Sequence, residues 1–506
     1  MGKLVSRIGL VSAFTMISRV LGLLRDMMTS SLLGTSVWNS AFITAFTLPN
    51  LFRRLLGEGA LTAALMPNLS EELEERGRAA VHELINKTLS WLVVICCALS
   101  ALVVGGLEIV KRVDVSEKWG IAAGLGQILF PYVLLICVAA ILSAALNLFL
   151  RFAIPALTAV WLNTSIIIAL GIAGWVLGAD LEQKTYWLCG GALFGGLLQM
   201  IAPAIALRRE GWRPQFDLGI SARVKEVALL TVPGILGAAV FQINIMVSRV
   251  LALSVNDSAA SVLYYANRLV ELPVGVFAIA ISTVVFPSLA AAIAGGRKEE
   301  FAETYKRGIL LCLLLAVPSA VGLGVLASDI ISLLFENGRF TAMDTASTAP
   351  LVLIFAIGMP FYSFVSVETR AFYALKDTRT PVKVAVVTFA INVGLSLALM
   401  VPYGAVGLAI ATNFAVIVQT ILLHIALGRK DLDTSLQGMF GTFIKIAGSA
   451  VLMGLLVAAA SGWLSTRCGE SVFGQIVLVL VSILAGMAAY FGALQLFGMK
   501  LKSLLH

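Results

Sequence analysis

Seven arginines, Arg19, Arg25, Arg53, Arg54, Arg249, Arg268 and Arg370, lie inside stretches that are apolar and long enough to cross a membrane. A charge near the bilayer centre costs roughly 2.5–3.5 kcal/mol on insertion scales, so such a side chain must face a protein interior or a wet cavity. The acids in the same stretches are fewer, chiefly Asp26, Glu58, Glu271 and Glu368, which leaves a positive surplus. An anion that visits the membrane interior accounts for that surplus. Arginine suits a phosphate in particular, because its planar fork makes bidentate hydrogen bonds and stays charged when desolvated. A pyrophosphate is the natural target for several such forks.

Spacing sharpens this reading. Asn50, Arg53, Arg54, Gly57 and Glu58 fall at i, i+3, i+4, i+7 and i+8, along one face of a helix. Tyr264, Asn267, Arg268, Glu271 and Gly275 form a second stripe of the same kind. Two polar stripes in otherwise apolar helices point to one shared wet cavity. The competing reading makes Arg54–Glu58 and Arg268–Glu271 plain intrahelical salt bridges, but it leaves Arg53, Arg19 and Arg25 unexplained. Arg19 and Arg25 are six residues apart, about 120° around a helix. Both reach one cavity if their long side chains converge or if the helix bends, which Gly22 permits.

The elements that must carry these residues follow from composition. Of 506 residues, 59% are hydrophobic and 13% charged, about half the charged share of a soluble domain, so the fold class is an all-α polytopic membrane protein. About fourteen segments are expected, near 6–32, 37–57, 85–107, 121–148, 155–178, 185–207, 224–251, 262–290, 306–327, 346–372, 381–400, 405–427, 440–462 and 473–497. The net charge of +8 is no nucleic-acid patch: the basic residues alternate between sides, about 22 Lys and Arg against 6, which places both termini in the cytoplasm. The polar stretch 68–86 reads as a cytoplasmic helix between the second and third spans, capped by Asn68 or Ser70. Six cysteines and three histidines show no metal-ligand spacing, and neither a Walker loop nor a dinucleotide fingerprint occurs. The apolar run after Lys3 and Arg7 reads as a retained first helix, not a cleaved signal.

An internal repeat organises the spans. Leu48-Pro49 and Pro67-Asn68-Leu69 bracket the second, and Leu272-Pro273 and Pro287-Ser288-Leu289 the eighth. Six spans separate the copies, and an even number preserves direction. This predicts two six-helix lobes in parallel repeat, residues 1–208 and 223–428, plus two extra C-terminal helices in 440–497.

The motifs resemble a known family. Ser18-Arg19-Val20-Leu21-Gly22 with Arg25-Asp26, then Leu48-Pro49-Asn50-Leu51-Phe52-Arg53-Arg54 and Glu58-Gly59-Ala60, are similar to the first two helices of MurJ-type lipid II flippases. These belong to the multidrug/oligosaccharidyl-lipid/polysaccharide exporter superfamily. Tyr264-Tyr265, Arg268-Leu269, Glu271-Leu272-Pro273 and Phe372-Tyr373-Ala374-Leu375-Lys376-Asp377 with Thr380-Pro381 match as well, and the resemblance runs along essentially the whole chain. It implies fourteen helices, a V-shaped central cavity between two lobes, and a groove at the last two helices for a lipid tail. It further implies substrate binding by Arg19, Arg25, Arg53 and Arg268, with Ser18 and Asn50 beside them, and a cytoplasmic gate of Glu58 with Arg370. The chain departs at Ser40 and Asn267, where many relatives carry an acid, and at Thr47, where some carry lysine. The eleventh span offers only Asn392, which counts against the sodium site of some relatives.

The expected activity is therefore transport without covalent chemistry: movement of an undecaprenyl-pyrophosphate-linked peptidoglycan precursor, lipid II, from the cytoplasmic to the outer leaflet of a bacterial inner membrane. The chain would act as a multi-pass monomer without metal or cofactor. Its energy source, the membrane potential or an ion, stays open, as do contacts with cell-wall synthesis proteins. A drug or cation exporter of the same superfamily would need acids in the cavity, where this chain puts bases. A membrane glycosyltransferase acting on the same lipid would need a general base or metal site, often with a sizeable extracytoplasmic loop, and the loops on that side are short.

Overall fold

A bilayer offers no water to backbone N–H and C=O groups, so a chain this apolar satisfies them within helices. The computed structural model holds helices and no strand in the residues it describes, which are 2–57, 60–113, 116–280, 285–430, 432–468 and 471–499. Two compact units result, Met1–Leu253 with Gly338–Phe340, and Ser254–Asn337 with Thr341–His506.

The first unit carries α1 (Gly2–Leu33), α2 (Val37–Phe52), a π-helical turn (Arg53–Gly57), α3 (Ala60–Glu75), α4 (Gly77–Arg112), α5 (Glu117–Leu129), α6 (Tyr132–Leu148), α7 (Ala153–Gly171) with a π turn (Ile172–Val176), α8 (Leu181–Arg209) and most of α9 (Ala222–Val255). The second carries α10 (Ala259–Ala280), α11 (Phe286–Ala294), α12 (Lys298–Val325), α13 (Ala327–Phe335), α14 (Ala342–Ala374), α15 (Arg379–Gly428), α16 (Phe440–Cys468) and α17 (Val472–Leu496). In the described residues, the fourteen apolar segments fall largely on helix. Ten helical stretches among the described residues are long and apolar enough to span a membrane. One of them, α15, turns at Gly404, whose φ of 57° and ψ of −132° interrupt the helix between the eleventh and twelfth segments. Only glycine takes that conformation without strain.

The stretch after the second span differs from expectation. Asn68 and Ser70 cap nothing: α3 already begins at Ala60, and both side chains bond back one turn, Asn68 Nδ2 to the Ala64 carbonyl (3.1 Å) and Ser70 Oγ to that of Met66 (3.0 Å). The break comes instead at Gly77, with φ of 80°, after which α4 continues directly into the third span. Pro49 sits inside α2 ahead of α3, and Pro273 inside α10 ahead of α11, where Pro287 lies in the first turn.

Two buried polar networks tie helices of the first unit together. Tyr132 Oη donates to Gln199 Oε1 (3.1 Å), and Gln199 Nε2 to the Thr158 carbonyl (2.8 Å), which ties α6, α7 and α8 together. Trp212 Nε1 donates to Asn86 Oδ1 (2.8 Å) and Asn86 Nδ2 to the Arg213 carbonyl (3.0 Å), strapping the segment after α8 to α4. Small residues set the α7–α8 approach. A side chain at Gly191 would meet the Ile166 backbone at 3.0 Å, and one at Gly195 the Leu162 Cα at 2.8 Å, a glycine pair four apart of the kind that joins membrane helices. Gly195→Leu is expected to destabilise the unit by about 1–3 kcal/mol through overpacking. An unchanged thermal midpoint in detergent would contradict this packing role.

In the second unit the core gathers Leu289, Phe301, Tyr305, Phe372, Leu423 and Leu427. The C-terminal pair α16–α17 joins it: Tyr490 Oη donates to the Leu314 carbonyl of α12 (2.9 Å), while Leu452, Leu455, Leu480 and Leu484 stay exposed on the outer face.

Candidate functional site

The expected site residues divide between the units. In the first, α1 runs helical and unbroken through Gly22, so convergence of Arg19 and Arg25 falls to their side chains and not to a bend. Arg25 is fixed on several sides. Its Nη2 and Nε donate to the same Asp26 oxygen (2.7 and 3.1 Å), and its Nη1 donates to Asn163 Oδ1 on α7 (3.1 Å). Asn163 Nδ2 in turn donates to the carbonyl of Ser18 (3.1 Å), so one asparagine links both ends of the Ser18–Arg25 stretch. Asp26 is 2% exposed, and its charge is compensated by the guanidinium beside it. Arg19, a turn and a half away, is half-buried.

Arg53 stands where α2 loosens. Pro49 lacks an N–H for the helical ladder, and the turn that follows, Arg53–Gly57, is π-helical, a form frequent at functional sites. Arg53 Nε donates to Asn50 Oδ1 (3.1 Å), and Asn50 Nδ2 donates to the Phe46 carbonyl (3.0 Å), so Asn50 orients the guanidinium from the helix it shares. Arg54 on the neighbouring side is exposed. Glu58, expected at the gate and as the partner of Arg54, lies outside the described residues.

In the second unit α10 shows the expected stripe. Asn267 Nδ2 donates to Glu271 Oε1 (2.7 Å), and Arg268 Nη1 lies 3.7 Å from Glu271 Oε2, so the intrahelical pair exists. Tyr264 and Tyr265 part company: Tyr265 is fully buried against Phe335, at 4.8 Å between ring centroids, whereas Tyr264 is half-buried. Arg370 is half-buried on α14. Glu368, two residues earlier, faces Tyr305 and His424 instead of Arg370, since residues two apart leave opposite sides of a helix. The Asp377–Thr380 motif is a clamp outside the spans. Asp377 accepts from the Thr380 N–H (3.0 Å) and hydroxyl (2.8 Å) at the start of α15 and from Lys430 Nζ (2.8 Å) beyond its end. The Lys430 hydrogen bond holds the Asp377 carboxyl well below the usual carboxylate range.

Sequence reasoning missed Asn163 and the Tyr305–His424 contact to Glu368. The available signal was an isolated polar side chain in each of three apolar spans.

Solved structures place this architecture. A protein described as "Lipid II flippase MurJ, inward closed conformation" superposes with a TM-score of 0.79 at 26% identity, over 96% of this chain and 98% of that one. The inward-facing structure of a multidrug resistance MATE family transporter of the MOP superfamily shares the fold, with a TM-score of 0.68 at 14% identity over 84% of this chain and 99% of that one. The fold is that of a polytopic transporter. At the sequence level, the family described as "Lipid II flippase MurJ" matches residues 29–482. Proteins described as "Probable lipid II flippase MurJ" from Rhizobium meliloti (32% identity over 97% of this chain and 93% of the relative) and Vibrio cholerae (31%, over 98% and 96%) are similar along nearly their full lengths. The chain belongs to the MurJ family of lipid II flippases.

Proposed function

We propose that this chain moves lipid II from the cytoplasmic to the outer leaflet by exposing an arginine-lined site alternately to the two sides of the membrane. Lipid II as cargo and transport without catalysis follow from family membership, as does a place in the inner membrane as a multi-pass protein of peptidoglycan synthesis. The observation that carries the binding site is the guanidinium of Arg25, fixed inside the membrane by Asp26 and Asn163. A cation preorganised in this way gives up little freedom when it takes hold of a diphosphate. In this reading Arg19, Arg25 and Arg53 of one lobe and Arg268 of the other face a common cavity and hold the pyrophosphate. Ser18 and Asn50 offer polar contacts to the head group. The lobes are those of the sequence repeat, 1–208 and 223–428, rocking about the site, while the apolar face of α16–α17, residues 440–497, holds the polyprenyl tail. Glu58 and Arg370 close the cytoplasmic side. The protein works as a monomer, driven by the membrane potential or an ion.

Growth of a strain depleted of its own lipid II flippase should be restored by this chain. Failure to restore growth, with the protein present in the membrane, would count against the assignment. Orientation has its own test. In a background with Cys97 and Cys468 replaced by Ser, a cysteine at Phe216 should be protected from an impermeant thiol reagent in intact cells, and one at Asp257 labelled. The reverse pattern would overturn cytoplasmic termini.

A further inference from the structure

Glu368 is 0% exposed inside α14, in a membrane-spanning bundle, and the described residues give its Oε2 no hydrogen-bond partner. The helices that meet here share an apolar core: Leu289 and Ala292 of α11, Phe301 and Ile309 of α12, Ala371 and Phe372 of α14, Leu423 and Leu427 of α15. A carboxylate so placed, without a compensating charge, is strongly unfavourable. Two groups meet its other oxygen. Tyr305 Oη of α12 lies 3.4 Å from Oε1, His424 Nδ1 of α15 lies 3.4 Å from it, and the two partners lie 3.1 Å from each other.

Three polar atoms in a triangle need two hydrogens to bond without repulsion. Tyr305 brings one. A proton shared between Glu368 and His424 supplies the other while making the pair neutral, so that the apolar surroundings bear no net charge. Other charged groups on the packed elements are engaged elsewhere or exposed, as Arg379 and Lys383 of α15 and Lys445 of α16 are. On α10, Arg268 and Glu271 pair with each other. On α12, Lys306 pairs with Asp433 (2.7 Å) and Arg307 with Glu303 (2.7 Å). On α13, Asp329 accepts from Ser461 (2.7 Å). On α14, Arg370 leaves the opposite side of the helix, and α11 contains no ionisable residue. His424 is 35% exposed and lies one turn from Gly428 and the basic residues Arg429 and Lys430, which gives the triangle a route to water at that end of the bundle.

We propose that Glu368, His424 and Tyr305 form a proton-binding site within the second unit, and that its occupancy biases the packing of α12, α14 and α15 during the transport cycle. Loss of the shared proton leaves the pair with a net negative charge among apolar side chains, so the joint between α14 and α15 weakens. Gain of the proton restores it. The inference rests on the chain being a transporter, but proton binding can be measured without transport.

The test is infrared spectroscopy of the full-length protein in lipid nanodiscs, titrated with pH. A protonated-carboxyl C=O band that titrates in the wild type should be missing from Glu368→Gln. In His424→Gln the titration should be displaced along the pH axis by about one unit or more, and Tyr305→Phe should displace it less. The same titrating band in wild type and Glu368→Gln, or a titration that His424→Gln does not move, would overturn the site. If Glu368→Gln fails to fold, the His424→Gln displacement alone decides. Rescue of a flippase-depleted strain by a wild type that lacks any such band would leave the transport function standing and the proton site refuted.

Discussion

Replacing Arg25 with alanine is expected to abolish rescue of a flippase-depleted strain, and Arg19→Ala, Arg53→Ala and Arg268→Ala should each do the same. The losses have different origins. Charge-assisted hydrogen bonds contribute about 1.5–3 kcal/mol each, roughly a ten- to hundredfold loss of affinity per contact. Arg25 carries a second cost, because its removal leaves Asp26, at 2% exposure, without its cation. Breaking a buried pair costs about 3–5 kcal/mol, so this variant needs a stability control. Arg53→Ala leaves Asn50, a neutral partner, with its own bond to the Phe46 carbonyl. A lysine at any of the four should recover activity only in part, since the charge returns but the fork does not. Full rescue by two or more alanine variants at native expression would refute a shared anion site.

Exchanging Glu58 and Arg370 is the second large effect. Either single change, Glu58→Arg or Arg370→Glu, should lose activity, and the double variant should recover it if the two side chains meet at the gate. Arg370 bears on this test because Glu368 is engaged elsewhere, by Tyr305 and His424, which removes its local alternative. A double variant as inactive as the singles, with all three present in the membrane, would eliminate the gate and leave the arginine site intact.

The spans were legible because a bilayer imposes a minimum apolar length that few other structures need, and the arginines stood out against that background. Pro49 and Pro273 stood out for the same reason: each interrupts an otherwise apolar run. What the spacing could not disclose were contacts between distant parts of the chain. Asn163 reaches Arg25 across 138 residues, and His424 reaches Tyr305 across 119, distances at which no helical periodicity speaks. Asn68 misled because its type favours a cap, while α3 had already begun eight residues earlier and the side chain bonds back to Ala64. Glu368 and Arg370 are neighbours in sequence, yet the helix turns them apart.

The most direct measurement of the central claim is the amount of lipid II exposed on the outer leaflet, read with an impermeant reagent, in cells whose only flippase is this chain. The wild type should restore exposure to the level of the undepleted strain, and a variant with Arg19, Arg25, Arg53 and Arg268 all changed to Ala should leave it at the depleted level despite reaching the membrane. Equal exposure in the two would contradict the account, because lipid II would then cross without the arginines that are proposed to carry it.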